Sequence, residues 1–87
     1  MLQITGSVVK EQGVTFAVVV VKEHVLNFKN NANELINCLK NYFPCMPVVL
    51  MAQNYNGTPI YYGREDIVNF LANIPFEWIP WKKYTFN

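Results

Sequence analysis

The stretch VTFAVVVV at residues 14–21 decides the fold of this chain. In its second half, residues at both odd and even positions are apolar, so both faces of a strand formed there would be apolar. Valine, which is branched at Cβ, favours strand over helix. A strand that is apolar on both faces is normally central in its sheet and covered on both sides. The stretch PVVLMA at residues 47–52 has the same character. The sequence therefore predicts two central strands.

Two further strands flank this pair. Residues 2–9 place Leu2, Ile4 and Val8 on one side of a strand and polar residues on the other, which suits a sheet edge or a face in contact with water. Residues 58–62 follow an Asn-Gly turn, a strong hairpin signal. Because Pro59 has no backbone N–H to donate, this strand is predicted to lie at an edge.

Two amphipathic stretches predict helices, and each ends at a proline, Pro44 or Pro75. Their apolar stripes are Leu35, Cys38, Leu39 and Tyr42 in the first and Ile67, Phe70, Leu71 and Ile74 in the second. The predicted fold is α+β, in the order ββαββα with an aromatic C-terminal tail. A four-stranded mixed or antiparallel sheet is expected, with both helices on one face.

The two halves resemble each other. Residues 34–41 align with residues 66–73, with identities at Asn37/Asn69, Leu39/Leu71 and Asn41/Asn73. This pattern predicts a duplicated ββα unit within a single domain, residues 1–87. The first unit would span residues 1–43, the second residues 44–75, and the tail residues 76–87.

Composition narrows the class of protein. Of the 87 residues, 52% are apolar and only 15% are charged, which excludes an intrinsically disordered chain and a coiled coil. The net charge of +1 argues against a strongly basic nucleic-acid binder. The N-terminus lacks the pattern of a signal peptide, and the longest apolar run, residues 16–21, is far shorter than a membrane span. We therefore predict a cytoplasmic protein.

Groups that carry catalysis are scarce. The chain has one serine, one histidine and one aspartate, namely Ser7, His24 and Asp66, and nothing in their positions predicts a triad. One histidine and two cysteines, Cys38 and Cys45, match no usual zinc spacing. We predict no enzymatic activity, no metal and no cofactor. A reactive thiol at Cys45 remains an alternative, because it lies in a loop.

Residues 46–51, the Asn-Gly hairpin, Gly63 and the helix after it look like the C-terminal half of a thioredoxin fold. In that family an X-Pro bond before the strand is often cis and faces the active site, which here would be Met46–Pro47. This chain has no Cys-X-X-Cys motif, so the resemblance implies a relative of that fold without redox activity.

The preferred functional prediction is a small binding or adaptor protein that acts through protein–protein association, as a homodimer. Two short helices on one sheet face would leave the other face to the tail or to a partner, and tryptophan and tyrosine are common interface anchors. The predicted contact residues are Trp78, Trp81, Tyr84 and Phe86, with Lys82 and Lys83 as rim charges and Tyr61 and Tyr62 as secondary choices. The alternative is single-stranded nucleic-acid binding by the aromatic and basic tail. No membrane partner is predicted.

Overall fold

A computed structural model describes residues 2–11 and 13–86. Met1, Gln12 and Asn87, which belong to the predicted domain, lie outside the described residues. The strands are β1 (Leu2–Glu11), β2 (Val14–Val20), β3 (Val48–Gln53), β4 (Pro59–Tyr62) and β5 (Lys82–Phe86). The α-helices are α1 (Lys29–Leu39) and α2 (Glu65–Ala72), and two 3-10 helices occupy Glu23–Asn27 and Phe76–Trp78. The predicted α+β class and the chain order ββαββα are confirmed.

The strands form one mixed sheet in the order β4-β3-β2-β1-β5. β2 and β3 pair in parallel across the α1 crossover, whereas the other three pairs are antiparallel. The runs that are apolar at both parities are therefore interior strands, as predicted, and β4 with Pro59 is an edge strand. The radius of gyration is 12.2 Å, close to the ~12 Å expected for one compact domain of this length.

The prediction of four strands is wrong, because the tail supplies a fifth. β5 pairs with β1 from Leu2↔Phe86 to Gly6↔Lys82 and makes β1 an interior strand. Its sequence, KKYTF, is short, and it forms a strand by pairing with the edge of β1 that β2 leaves free. Pro80, two residues upstream, made the segment look irregular.

The helices pack on opposite faces of the sheet, which corrects the prediction that both lie on one face. Leu39 of α1 shares a buried cluster with Val19 of β2, whereas Leu71 of α2 shares a second cluster with Val18. Neighbouring residues of a strand point to opposite faces. We call these two sides the α1 face and the α2 face. Because β2 and β3 are apolar on both faces, each face needs a cover, and the helices are divided between them.

β1 and β2 approach closely at Gly6. A Cβ atom at this position would lie 2.5 Å from the carbonyl oxygen of Val18, well inside van der Waals contact. Gly6 pairs with Val19 on one side and Lys82 on the other, so β1 is held between two strands here.

In the described part of the chain, no helix is long and apolar enough to cross a membrane. The predicted duplication of the ββα unit and the cytoplasmic location stay predictions.

Candidate functional site

Trp78 is the most exposed tryptophan of the chain and stands at the edge of an apolar groove on the α2 face. It ends the 3-10 helix that follows α2, and 74% of its surface is exposed. Its backbone N–H donates to the carbonyl oxygen of Pro75 at 3.0 Å, and this hydrogen bond holds the backbone of Trp78 in place. We call the concavity the Trp78 groove. It has a volume of about 350 Å³ and is lined by Val9, Glu11, Phe70, Ile74, Trp78, Ile79 and Pro80.

A second, smaller hollow adjoins the Trp78 groove along α2. It shares Glu11 and Phe70 with the groove and continues to Val14, Phe16 and Ile67. The rings of Phe16 and Phe70 meet edge to face with their centroids 6.4 Å apart, a favourable aromatic geometry. Phe70 is therefore held from below by the core while its outer side remains half-exposed.

Trp81, which the sequence grouped with Trp78, has a different position. It is half-buried against the core of the α2 face. Its indole Nε1–H donates to the carbonyl oxygen of Phe76 at 2.9 Å. This bond and the apolar contacts anchor the chain between the 3-10 helix and β5, so Trp81 serves the fold.

The side chains of β5 are divided between the two faces. Tyr84 and Phe86 pack on the α1 face, where the Phe43 ring lies 5.4 Å from Tyr84 and 5.8 Å from Phe86. The Lys82 ammonium lies 4.9 Å from the centre of the Tyr84 ring, a cation–π contact. Lys83 alternates to the α2 face. The aromatic and basic residues of the tail thus form no single patch, and nucleic-acid binding stays a prediction without support from this arrangement.

Tyr61 and Tyr62 also point to opposite faces. Tyr61 packs in the core of the α2 face, and its hydroxyl is buried without a hydrogen-bond partner among the described residues. Burial raises the pKa of Tyr61, and the carboxylate of Glu77 adds to this shift. Tyr62 packs on the α1 face, and its hydroxyl donates to Oδ1 of Asn33 at 2.9 Å.

Potential catalytic groups do not converge. Ser7 is buried on the α2 face, and His24 is exposed in the 3-10 helix before α1. Asp66 accepts two hydrogen bonds from Arg64, at 2.8 and 2.9 Å, and this contact lowers the pKa of the Asp66 carboxyl. Among the described residues, no group of three side chains could hold a metal ion.

A larger concavity lies on the other side of the molecule, where no sequence motif had predicted a site. We call it the α1–β4 cleft. It has a volume of about 710 Å³ and is lined by Asn33, Ile36 and Asn37 of α1, by Lys40 directly after that helix, and by residues 45–48 and 62–64. The α1 residues recur at helical spacing and so share one helix face. That spacing is the only sequence signal that could have revealed the cleft.

Cys45 is exposed at the α1–β4 cleft, and it is free, as is Cys38. Its φ of 65° is the single positive value at a non-glycine residue in the described chain. The Met46–Pro47 bond is trans, since the described residues contain no cis peptide. The cis bond associated with the thioredoxin resemblance is therefore missing.

The chain matches no protein-family model, and comparison with curated proteins and with solved structures also found no match.

Proposed function

We propose that this protein is a small non-enzymatic binding protein that associates with a second copy of itself through the Trp78 groove. The observation that carries the proposal is the exposure of Trp78 beside an apolar groove. Tryptophan dominates the energetic centres of protein interfaces, especially where it fills an apolar pocket. A net charge of +1 leaves little general repulsion between two copies.

The shape of the α2 face favours a symmetric pair. The indole of Trp78 protrudes, and the groove formed by Val9, Phe70 and Ile74 lies directly beside it. In a two-fold dimer every contact is made twice: when Trp78 of one copy enters the groove of its partner, the partner's Trp78 enters the groove of the first copy. A protrusion next to a groove satisfies this condition within one patch.

The charges on the α2 face select the direction of pairing. Glu11 borders the Trp78 groove at one end of β1, and Lys83 lies beside Thr5 near the other end. Thr5 and Glu11 are six residue steps apart along β1, a distance of about 20 Å. When two α2 faces meet with their β1 strands antiparallel, Glu11 of each copy approaches Lys83 of the other. Parallel strands would instead bring like charges together.

The sheet edges favour face-to-face association over extension of the sheet. β4 carries Pro59, which removes a donor from one edge, and β5 carries Lys82 and Lys83 at the other. Proline and lysine on edge strands are common devices against edge-to-edge pairing. On the α2 face, the exposed Trp78 ring and the adjoining groove are available for face-to-face contact.

The first experiment measures molar mass by light scattering over a range of concentrations. We expect a dimer for the unaltered chain and a shift toward monomer for Trp78→Ala, with the dissociation constant raised about thirtyfold, because a central tryptophan contributes on the order of 2 kcal/mol. Tyr55→Ala is the matched control, since Tyr55 is 93% exposed in the β3–β4 loop, away from the groove. A monomeric unaltered chain, or equal effects of the two variants, would contradict the proposal.

A charge exchange tests the antiparallel arrangement. Glu11→Lys and Lys83→Glu should each weaken the dimer, because each places like charges across the interface. The double variant should recover most of the lost affinity. If the double variant regains affinity, Glu11 and Lys83 meet across the interface. If it does not, the antiparallel arrangement is rejected.

A further inference from the structure

The α1–β4 cleft is independent of the Trp78 groove, because its Tyr62 wall belongs to the α1 face. Its apolar lining residues are Ile36, Met46, Pro47 and Val48. Its volume of about 710 Å³ falls within the ~300–1,000 Å³ typical of sites for small molecules. The lining combines these apolar residues with polar groups that can orient a ligand, as such sites do.

The polar lining of the cleft has a consistent electrostatic character. Two cations, Lys40 and Arg64, line it, together with the amides of Asn33 and Asn37, and no carboxylate does. Arg64 is held by Asp66, the one salt bridge among the described residues. Lys40 forms no salt bridge with any described residue, so its ammonium can bind an anion from solution.

Two contacts connect the walls of the cleft. Tyr62 and Asn33 join β4 to α1 through their hydrogen bond of 2.9 Å. Gly63 lies so close to β3 that a Cβ atom there would be 3.0 Å from Val49 Cγ2 and 3.2 Å from its Cα. Contacts that already connect the walls in the free protein reduce the conformational entropy lost on binding.

From this lining we propose that the α1–β4 cleft binds a small organic anion, with its carboxylate or phosphate at Lys40 and its apolar body over Ile36, Met46 and Val48. The amide groups of Asn33 and Asn37 can donate to the same anionic group. A neutral molecule of the same shape gains the apolar contact without the charge-assisted hydrogen bond to Lys40.

The two free cysteines provide an internal assay. Cys45 lines the cleft, whereas Cys38 is exposed on α1 outside the lining. The alkylation of each thiol by iodoacetamide, a neutral reagent, is followed by mass spectrometry in the presence of benzoate, phenyl phosphate or benzamide. We expect benzoate or phenyl phosphate to slow alkylation of Cys45 in a saturable way and to leave Cys38 unchanged. Their relative effects identify the preferred anionic group.

Variants of lysine then test the recognition of charge. Lys40→Gln should raise the half-protecting concentration of the effective anion about tenfold, the change expected for loss of one charge-assisted hydrogen bond. Lys29→Gln, at the opposite end of α1, should leave it unchanged. Far-ultraviolet circular dichroism confirms that both variants remain folded. Equal protection by benzamide, equal protection of both thiols, no saturable protection, or an unchanged Lys40→Gln variant would each overturn the proposal.

Discussion

Replacing Gly6 by alanine tests the closest approach between two strands of the sheet. The new Cβ atom would lie 2.5 Å from the carbonyl oxygen of Val18 and 3.4 Å from the Cα of Val19. The first distance is about 1 Å shorter than an ordinary contact. The obstacle is backbone, so no side-chain rotation relieves it. β1 cannot move away from β2 freely either, because Gly6 also pairs with Lys82 of β5.

The expected cost of Gly6→Ala is near the upper end of the range for overpacking, about 2–3 kcal/mol. A domain of this size has a free energy of unfolding on the order of 5–10 kcal/mol, so a large fraction would be lost. Since 1 kcal/mol lowers Tm by roughly 4–8 °C in domains of this length, the midpoint should fall by roughly 10–20 °C. Urea unfolding followed by circular dichroism measures the change in free energy.

Gly57→Ala is the matched control for this prediction. Gly57 has a φ of +84°, and a Cβ atom there would meet nothing within 4 Å. Only the strain of the left-handed backbone opposes alanine at this position, a cost of about 1 kcal/mol. If Gly6→Ala unfolds at the urea concentration of the unaltered chain, or costs no more than Gly57→Ala, the reasoning from strand proximity is refuted.

Two further predictions concern the aromatic residues. Tyr61→Phe removes a buried hydroxyl that has no partner among the described residues, so it should raise the free energy of unfolding by up to about 1 kcal/mol; a loss of stability in urea would show that the hydroxyl is satisfied. Deleting residues 80–87 removes β5 together with Trp81, Tyr84 and Phe86 from the two cores. The shortened chain should lack a cooperative thermal transition in circular dichroism, and an unchanged Tm would contradict the placement of β5.

Much of the fold was predictable because it depends on local pattern. Valine-rich runs that are apolar at both parities became interior strands, and Pro59 marked an edge strand, since these signals act within a few residues. β5 was missed because its five residues follow Pro80 closely and were predicted to be an irregular tail, although Tyr84, Thr85 and Phe86 are residue types that favour strands. Its conformation depends on hydrogen bonds with β1, which lies about 80 residues earlier in the chain.

The candidate sites were less predictable than the strands. Trp78 and Trp81 are both near Pro80 and look alike in sequence, yet one is exposed and the other is held by a hydrogen bond to Phe76. The α1–β4 cleft joins side chains of α1 to residues 62–64. No sequence motif predicts that α1 and residues 62–64 lie close together, because the sheet brings these two segments together.

Local patterns in the chain were enough to predict the α+β class, the order of the first six elements and the apolar surface on both sides of β2 and β3. How that surface is covered, with α1 on one face and α2 on the other, became clear in three dimensions. This is because hydrophobic burial is non-directional. An apolar residue is stabilised by burial against any apolar neighbour. Which helix or strand buries it depends on chain connectivity and strand pairing.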